Sequence, residues 1–558
     1  MARPAQQTPS QEKEQRPTAL VLGAGLAGLT VARELARHGF RVTLLEKSAR
    51  AGGKAGSRPA DPETDGDPAP NALYEHGYHI FAPWYLNVQA ILGELGITLK
   101  GIRRWHYKTL TDGWKGLFLP STPAQVFQVL RNSPLPVPDT LLYFYFCLDM
   151  IGKPLSQKAA LDRVTRLGLM RSCWYKTDSL PIIEEESILK AAAVPVHEMS
   201  AYTAKILSSY FLWTLRPTRL RLFSAEPEPS LFMLDGDLQT TFIEPYVRHV
   251  RAAGVDIRFN HEARRVEVEA QSGRPGRLTI AAVEVEVGVD ADRKTTERFS
   301  ADAIIVTTPL DVTQRLLGNS ELVARELPVG RINRLRTAPM AALHLTLKGT
   351  PPTLPPEHCF LMGGEYGLSF IDQSTHWTNA PYTLSFISSN FAPLIHLDRR
   401  QQYERLISEI SSFLPITAND VAHWVLFPNQ ETGAQLFINT VGSWPDRPEV
   451  RAEQVDNLYF AGDWVKNKVD LACMEGAVSA ARQAAHEVGL DFRARAGVSI
   501  PDGPQVAGRY PPCLIRAAVW LLSPLALLVY GWARLREWAA ARRAPAIVPT
   551  PTPVRGTR

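Results

Sequence analysis

The chain has 558 residues, of which 45% are hydrophobic and 21% are charged. These proportions are those of a globular protein with a sizeable core, and they exclude a wholly disordered, collagenous or disulfide-stapled chain. The 61 Lys and Arg residues exceed the 56 Asp and Glu residues by five, and residues 531–558 carry all of that excess. Because the body is formally neutral, we predict no nucleic-acid partner.

The cysteines and the N-terminal segment bear on the cellular environment. Five cysteines are scattered without a C-x-x-C pair or a metal-ligand spacing. That distribution is typical of a reducing compartment, and it predicts neither a disulfide framework nor a metal site. Residues 1–18 are polar, rich in Gln and Pro, and lack the apolar stretch of a secretory signal. We predict a disordered leader there.

A strand, a glycine-rich turn and a helix follow. Residues 19–22 are continuously apolar, which is typical of a strand buried on both faces of a parallel sheet. They run into Gly23-Ala24-Gly25-Leu26-Ala27-Gly28, and a helical stretch over 29–38 then ends at Gly39. Residues 41–45 predict a second strand that ends in an acidic residue. A G-x-G-x-x-G turn in this context predicts a dinucleotide-binding site.

Each position of the turn has a physical role in such a site. Gly23 permits the tight turn, Gly25 lets the backbone approach a pyrophosphate, and Gly28 allows close packing of helix on strand. The helix N-terminus at Leu26 and Ala27 presents free N–H groups to the phosphates.

A second glycine pair follows the acid at the end of the second strand. Glu46 is predicted to accept hydrogen bonds from the adenosine ribose, and it disfavours a 2′-phosphate. The glycines of Arg50-Ala51-Gly52-Gly53-Lys54 would let the backbone run beneath a longer, extended ligand. This segment resembles the flavin-containing amine oxidase and carotenoid desaturase superfamily, which uses it to wrap FAD. The resemblance implies cofactor contacts from Lys47, Arg50, Gly52, Gly53 and Lys54.

The middle of the chain predicts a different architecture. Residues 85–230 are mostly helical by pattern and rich in aromatic residues, with an apolar peak at 141–148. We interpret that peak as a buried core helix; a wall of an apolar substrate tunnel and a membrane-dipping surface are the alternatives. Strand-like alternation over 255–306 has a hairpin-like break near Gly273 and Gly276. Residues 340–445 alternate strands and loops.

The C-terminal part of the body supplies a second set of cofactor residues. Residues 457–463 predict a strand that ends in Gly462-Asp463, and Met474-Glu475-Gly476-Ala477-Val478 opens a helix. Asp463 at a strand end can bind a ribityl hydroxyl, and the helix dipole would stabilise the negative charge of reduced flavin. The superfamily uses its Gly-Asp and Met-Glu-Gly-Ala-Val segments in this way. The resemblance therefore assigns Gly462, Asp463, Met474 and Ala477 to FAD.

Three further segments resemble the plant and cyanobacterial type of phytoene and zeta-carotene desaturases more than amine oxidases. They are Glu75-His76-Gly77-Tyr78-His79-Ile80-Phe81, the stretch 234–246, and Asp463-Trp464 with Lys466 and Lys468. The resemblance covers residues 19–488. It implies flavin contacts from Gly77, Tyr78 and His79, and an adenine contact from the backbone of Ala263, where the family usually has a valine.

His79 and Lys466 are the candidate catalytic residues. The alternative interpretations are a histidine that is simply hydrogen-bonded and a solvated lysine. Desaturation moves a hydride from a saturated carbon to flavin N5 and a proton from the neighbouring carbon, so the protein chiefly positions the substrate and excludes water. A membrane quinone or oxygen is the expected electron acceptor.

The C-terminal segment predicts membrane association. Residues 517–533 carry no charge, lie between Arg516 and Arg534, and contain Pro524. A spanning helix needs about 20 apolar residues, so we predict a membrane-associating segment over 513–540, as a short span or a re-entrant hairpin. A basic tail over 541–558 would face an anionic cytoplasmic leaflet. A core helix packed against the body is the alternative.

The resemblance implies an α/β fold with a Rossmann-type, glutathione reductase-like FAD-binding domain from 19–84, 231–312 and 445–490. An α+β substrate domain from 85–230 and 313–444 is inserted into it. The implied function is an FAD-dependent oxidoreductase of a lipophilic isoprenoid, of the phytoene or zeta-carotene desaturase type. The alternatives are a hydroxysqualene-type dehydroxylating oxidoreductase, a carotenoid isomerase without net redox change, a flavin amine oxidase, and a membrane-tethered flavoprotein scaffold without turnover.

Overall fold

The structure is a computed structural model that describes residues 16–183, 186, 190, 194–215, 226–271, 273–288, 294–318, 320, 328–349, 353–378, 380–508 and 510–543. Residues 1–15 of the predicted leader and residues 544–558 of the predicted basic tail lie outside the described residues.

The strands and helices are given in chain order. The strands are β1 (Thr18–Leu22), β2 (Arg41–Leu45), β3 (Ser57–Arg58), β4 (Gly66–Asp67), β5 (Tyr74–Glu75), β6 (Lys100–Ile102), β7 (Trp105–Thr109), β8 (Lys115–Leu117), β9 (Leu231–Met233), β10 (Asp256–Arg258), β11 (His261–Ala270), β12 (Leu278–Val287), β13 (Thr295–Phe299), β14 (Ala303–Val306), β15 (Thr337–Ala338), β16 (Ala341–Leu347), β17 (His358–Met362), β18 (Leu368–Asp372), β19 (Thr383–Ser388), β20 (Val421–Phe427), β21 (Leu436–Phe437) and β22 (Leu458–Phe460). The α-helices are α1 (Leu26–Arg37), α2 (Leu86–Glu94), α3 (Pro123–Asn132), α4 (Val137–Gly152), α5 (Lys158–Asp162), α6 (Arg166–Ser172), α7 (Ala201–Leu215), α8 (Glu244–Ala252), α9 (Leu310–Gly318), α10 (Gln373–His376), α11 (Arg399–Phe413), α12 (Met474–Phe492) and α13 (Pro512–Arg543).

A five-stranded parallel sheet forms the base of the nucleotide-binding part. Its strand order is β10-β2-β1-β14-β22. The apolar residues of β1 and β14 are buried because helices cover both faces of such a sheet. Leu22, Val306 and Phe460 stand side by side at the carboxyl ends of three neighbouring strands. Segments that are distant in sequence therefore leave the sheet at one edge.

A three-stranded antiparallel sheet, β11-β12-β13, follows β10. The turn between β11 and β12 contains Gly273 and Gly276 with φ of +75° and +77°, a conformation that glycine adopts without steric cost. The predicted hairpin is thus confirmed.

The second large sheet has the order β4-β20-β16-β19-β18-β17-β7-β8. Two of its features differ from the sequence prediction. β7 and β8 lie in the segment 85–230, which we predicted as mostly helical, and β7 pairs in parallel with β17 about 250 residues later. β4 lies within the segment 19–84 that we placed in the FAD-binding domain, and it joins the edge of this sheet. A two-residue strand has no alternation for a pattern to detect.

The apolar peak at 141–148 lies in α4, which has two different faces. Leu142 and Phe146 are buried in the core, whereas Phe144 is 46% exposed. The interpretation as a core helix therefore holds for one face of α4.

The C-terminal segment forms one continuous helix, α13, that lies antiparallel along α4. The Tyr145 hydroxyl donates to the Val519 carbonyl over 3.3 Å, and Arg536 pairs with the buried Asp139 over 2.8 Å. Pro524 lies inside the helix and has no N–H to donate to the Trp520 carbonyl one turn earlier. The Ser523 hydroxyl donates to that carbonyl instead, over 2.8 Å. The expectation of a re-entrant hairpin is therefore wrong, because the proline does not interrupt the helix.

Candidate functional site

The glycine turn after β1 is built as its sequence predicts. Gly23 has φ of +105°. A Cβ on Gly28 would lie 1.8 Å from the Gly23 carbonyl oxygen and 2.8 Å from Thr307 Oγ1, so α1 sits against the turn with no room for a side chain. A Cβ on Gly25 would meet only the Gly52 carbonyl oxygen, at 4.0 Å. The backbone at Gly25, where α1 begins, therefore borders space that the protein leaves open.

The second glycine pair lies directly against the first turn. Gly52 donates its backbone N–H to the Ala24 carbonyl over 2.8 Å. Gly52 and Gly53 have φ of +122° and +55°, and a Cβ on Gly53 would approach Gly25 Cα to 3.3 Å. The two glycine segments form one continuous backbone surface at the N-terminus of α1, whose first residues Leu26 and Ala27 are buried.

The C-terminal segment comes to the same edge of the sheet. Ala461 continues β22 by donating its N–H to the Val306 carbonyl over 3.0 Å, so Gly462 and Asp463 emerge two strands away from Gly23. Burial lowers the pKa of Lys54, and the nearby carboxylates of Asp463 and Asp311 oppose that shift. The structure thus brings together the Gly-Gly-Lys and Gly-Asp segments, which are about 400 residues apart in sequence.

Glu46 lies at the carboxyl end of β2 and is 8% exposed. One carboxylate oxygen accepts the Ala24 N–H over 2.8 Å and the other accepts the Ser48 N–H over 2.9 Å. Each carboxylate oxygen can accept a further hydrogen bond, so these contacts leave acceptor capacity for a ribose. His261 donates its N–H to the Glu46 carbonyl over 2.9 Å, which places β11 and its Ala263 beside the end of β2.

The side chains of residues 75–79 point in two directions. His79 Nδ1 is 3.2 Å from Glu75 Oε2, and the rings of His76 and His79 are 5.0 Å apart. Burial lowers the pKa of His76 well below its usual range, and Lys54 adds to the shift. These contacts place His76 and His79 on the side of Lys54.

Tyr78 turns the other way, into the second sheet. Its hydroxyl lies 2.7 Å from His358 Nε2 and 2.6 Å from Ser369 Oγ, and burial raises its pKa. The predicted cofactor contact of Tyr78 is thus restricted to its backbone, because its side chain is engaged elsewhere. A Cβ on Gly77 would lie 3.4 Å from Ile387 Cδ1, so the backbone of Gly77 lies close to the second sheet.

α12 begins close to this edge and is tied to α2 by Glu475. The Glu475 carboxylate accepts the Asn87 N–H and the Val88 N–H over 3.0 Å each, and the Asn87 side-chain amide over 2.6 Å. Burial raises the pKa of Glu475 to about 7. Met474 and Ala477, in the first turn, are half-buried, and their predicted flavin contacts remain predictions.

The loop after Asp463 is held by Arg447. Its guanidinium donates to the carbonyls of Asp463, Trp464 and Val465 over 3.3, 3.1 and 2.6 Å. Lys466 forms an ion pair with Glu449 over 3.0 Å. The role of Lys466 as a candidate catalytic residue therefore remains a prediction, and in this structure its ammonium pairs with Glu449.

Lys47 and Arg50, the other predicted basic contacts, are exposed. A Cβ on Gly433 would lie 3.5 Å from Lys47 Nζ, and the Gly433 N–H is bonded to Asp311 over 2.6 Å. Lys47 thus lies on the same side of the site as Asp311, whereas the exposed Arg50 forms no ion pair among the described residues.

Sequence reasoning missed several polar residues of the site. Glu475 and Arg447 hold its loops and helices, while Gln239 Oε1, His76 Nδ1 and Asp311 Oδ1 are buried without a hydrogen-bond partner among the described residues. A Cβ on Gly52 would lie 3.3 Å from Gln239 Oε1. Such orphaned polar atoms around an open glycine-lined edge fit a polar, extended dinucleotide. Glu475 was visible as an acid in the first turn of a helix; Arg447 and Gln239 carried no local signal.

Comparisons with known proteins agree with this geometry. Residues 26–489 match the family of flavin-containing amine oxidoreductases. The chain is 24% identical over 508 residues to the 15-cis-phytoene desaturase of Solanum lycopersicum, covering 86% of this chain and 79% of that protein. It is 25% identical over 494 residues to the carotenoid phi-ring synthase of Streptomyces griseus, covering 84% and 87%. A solved structure of putrescine oxidase bound to putrescine has the same fold, with a TM-score of 0.60 at 16% identity over 86% of this chain and 99% of that chain.

Proposed function

This chain belongs to the family of flavin-containing amine oxidoreductases, and from that membership we propose that it desaturates a carotenoid-type isoprenoid at a membrane surface. It is an FAD-dependent oxidoreductase of the amine oxidase and carotenoid desaturase superfamily. The likeness to a phytoene desaturase and a carotenoid phi-ring synthase supports a lipophilic substrate. The likeness to putrescine oxidase concerns the fold alone.

The chain's residues would hold FAD along the edge described above. Bound FAD supplies the hydride acceptor of the reaction. Gly25 and the first turn of α1 would hold the pyrophosphate, where free N–H groups meet negative charge. Glu46 would bind the ribose, and Asp463 the ribityl chain. The N-terminus of α12, at Met474, would favour negative charge on the flavin side of the site.

His79 is the proposed proton acceptor. The buried carboxylate of Glu75 lies 3.2 Å from His79 Nδ1, so it can accept a hydrogen bond from Nδ1–H and leave the unprotonated Nε2 as the proton acceptor. A carboxylate partner also stabilises the imidazolium that forms when the proton arrives. The chain's part in the reaction is therefore to orient the substrate beside the flavin, exclude water and hold one proton on His79 Nε2.

The observation that carries the proposed substrate class is the outward face of α13. Trp520 and Leu521 are 83% and 80% exposed, and Leu514, Leu528 and Leu535 continue the apolar face at heptad spacing. Among the described residues, one helix, Pro512–Arg542, is long and apolar enough to cross a membrane, and only 6% of its most apolar window is buried. A continuous exposed apolar face of this kind on a protein marks an interaction site.

α13 is proposed to lie in the plane of one membrane leaflet rather than across the bilayer. It is held along α4, in the predicted substrate domain, by the Tyr145–Val519 and Asp139–Arg536 contacts. A helix fixed along the body cannot cross the bilayer unless the body enters too. An isoprenoid dissolved in the leaflet would then reach the protein beside its membrane-facing helix, with the cytoplasmic, anionic leaflet facing the basic residues near 541–543.

Anaerobic reduction of the flavin by a substrate tests the proposal. Purified holoprotein is mixed with liposomes that contain phytoene, and the flavin absorbance and the extracted lipids are followed together. We expect stoichiometric bleaching and a product with additional conjugated double bonds. Isomerised carotenoid without bleaching would indicate an isomerase, and peroxide released from putrescine in air would indicate an amine oxidase. Either result, or an unchanged lipid extract, overturns the desaturase proposal while leaving FAD binding intact.

A further inference from the structure

A pocket of about 340 Å³ lies between α13 on one side and the end of α6 with the segment that follows it on the other. Arg171, Lys176 and Asp178 line one side, and Tyr530 and Arg534 of α13 line the other. We call it the basic pocket. It lies outside the predicted FAD site, and none of the residues assigned to the cofactor lines it.

The charges of the basic pocket do not cancel. Arg534 is paired with Glu537 over 2.5 Å, and Glu537 also accepts the Asp178 N–H over 3.0 Å. Arg171 and Lys176 are exposed, and neither forms an ion pair in the described part of the chain. Asp178 is the one carboxylate among the lining residues, against three cations. The pocket therefore presents a surplus of positive charge with two cations available to a ligand.

The pocket opens at the rim of the apolar face of α13. Leu527 and Leu528 of the same helix are exposed, and so is Ile182, next to the lining residue Pro181. The exposed Trp174 packs edge-on against Tyr530, with ring centroids 6.1 Å apart. Trp and Tyr side chains concentrate at the level of lipid headgroups, where one end of the ring is apolar and the other is hydrated.

We propose that the basic pocket binds the phosphate of an anionic phospholipid headgroup while α13 lies in the same leaflet. Arg171 and Lys176 would contact the phosphate, and the acyl chains would continue over the adjacent leucines. This inference rests on the proposed membrane association of α13. The apolar rim favours a lipid over a soluble phosphate compound, because a soluble ligand gains nothing from exposed leucines.

Vesicle flotation of the full-length holoprotein tests the inference. Vesicles are made of phosphatidylcholine alone or of phosphatidylcholine mixed with phosphatidylglycerol. In Arg171→Gln/Lys176→Gln the two pocket cations that form no ion pair among the described residues are removed. In the matched control, Arg41→Gln/Arg248→Gln, two exposed cations of the nucleotide-binding part are removed that form no ion pair among the described residues. Glycerol 3-phosphate is added in a further arm as a soluble competitor.

We expect the wild type to prefer the anionic vesicles. The pocket variant should lose that preference by about 25-fold, at about fivefold per cation, and keep its binding to phosphatidylcholine, its flavin and its melting temperature. The control should stay within about twofold of wild type. Excess glycerol phosphate should leave vesicle binding unchanged.

Distinct results overturn the inference. Equal binding of the wild type to both vesicle types, or equal losses in the pocket and control variants, rules out a headgroup site while leaving membrane association standing. Full displacement by glycerol phosphate shows that the pocket binds soluble phosphate compounds instead. Failure of the wild type to float with any vesicle overturns the membrane proposal together with this one.

Discussion

Gly25→Ala should weaken FAD binding without unfolding the protein. Gly25 has φ of −75°, which alanine adopts readily, and its Cβ would have only the Gly52 carbonyl oxygen near it, at 4.0 Å. The added methyl group would occupy the space where the pyrophosphate is proposed to approach the N-terminus of α1. Loss of one charge-assisted hydrogen bond is worth about 1.5–3 kcal/mol. FAD affinity should therefore fall by roughly 10- to 100-fold.

Two other glycine variants make the comparison quantitative. A Cβ on Gly28 would lie 1.8 Å from the Gly23 carbonyl oxygen, so Gly28→Ala must displace α1 and should lose both flavin and thermal stability. A Cβ on Gly93, near the end of α2, would meet nothing within 4 Å. Gly93→Ala should therefore keep both. The melting temperature of apo Gly25→Ala should stay within a few degrees of wild type, since replacing a glycine N-cap by alanine costs about 0.5–1 kcal/mol.

The assay is reconstitution of the apoprotein with FAD, followed by flavin absorbance and fluorescence, with the melting temperature measured on the same samples. Wild-type FAD affinity in Gly25→Ala would refute the placement of the pyrophosphate at this turn. A large loss of apo stability in Gly25→Ala would refute the open space beside it.

Three further predictions concern the buried Glu475, the proposed proton acceptor His79, and α13. Burial raises the pKa of Glu475 from 4.5 to about 7. The protonated side chain therefore contributes about 3 kcal/mol to the free energy of unfolding below pH 4.5, and this contribution is lost as the pH rises through 7. In Glu475→Gln the melting temperature should depend less on pH between 4.5 and 7 than in the wild type. An unchanged pH dependence would contradict the raised pKa of Glu475. His79→Gln should retain flavin but slow substrate-dependent bleaching by roughly 10²- to 10⁴-fold, and an unaffected rate excludes His79 as the proton acceptor. Arg536→Ala leaves the carboxylate of Asp139, whose side chain is fully buried, with Thr177 as its remaining hydrogen-bond partner among the described residues. It should lower stability by about 1–3 kcal/mol, and Asp139→Asn/Arg536→Gln should recover most of that loss, as measured by thermal unfolding.

Local signals in the sequence predicted the segments that meet at the proposed FAD-binding edge of the parallel sheet. The apolar run before Gly23, the glycine spacing and the strand that ends at Phe460 are each contained within a few residues. The parallel sheet places these segments side by side, with Leu22, Val306 and Phe460 in register. Strand–turn–helix units of this kind are determined by their own residues, which is why their meeting could be expected.

Features that depend on distant partners could not be predicted. β4 is two residues long and has no periodic pattern of its own. β7 is five residues long, and its place in the sheet is set by pairing with a strand some 250 residues away. The side chain of Tyr78 is drawn into the second sheet by His358 and Ser369. Lys466 is likewise fixed by Glu449. In both cases the direction of the side chain is decided by a distant partner that no local pattern reveals.

Two buried charged residues explain how the distant halves of the site stay aligned. Glu475 holds the N–H groups at the start of α2, 388 residues away, while Arg447 holds three successive carbonyls after Gly462. Removing either partner would leave buried hydrogen-bonding groups unpaired, which costs more than the bond itself contributes. α12 and the Asp463 loop are thereby fixed to different parts of the chain, independently of any ligand. The edge that FAD is proposed to occupy is therefore preorganised by the protein, and the binding free energy of the cofactor need not be spent on assembling it.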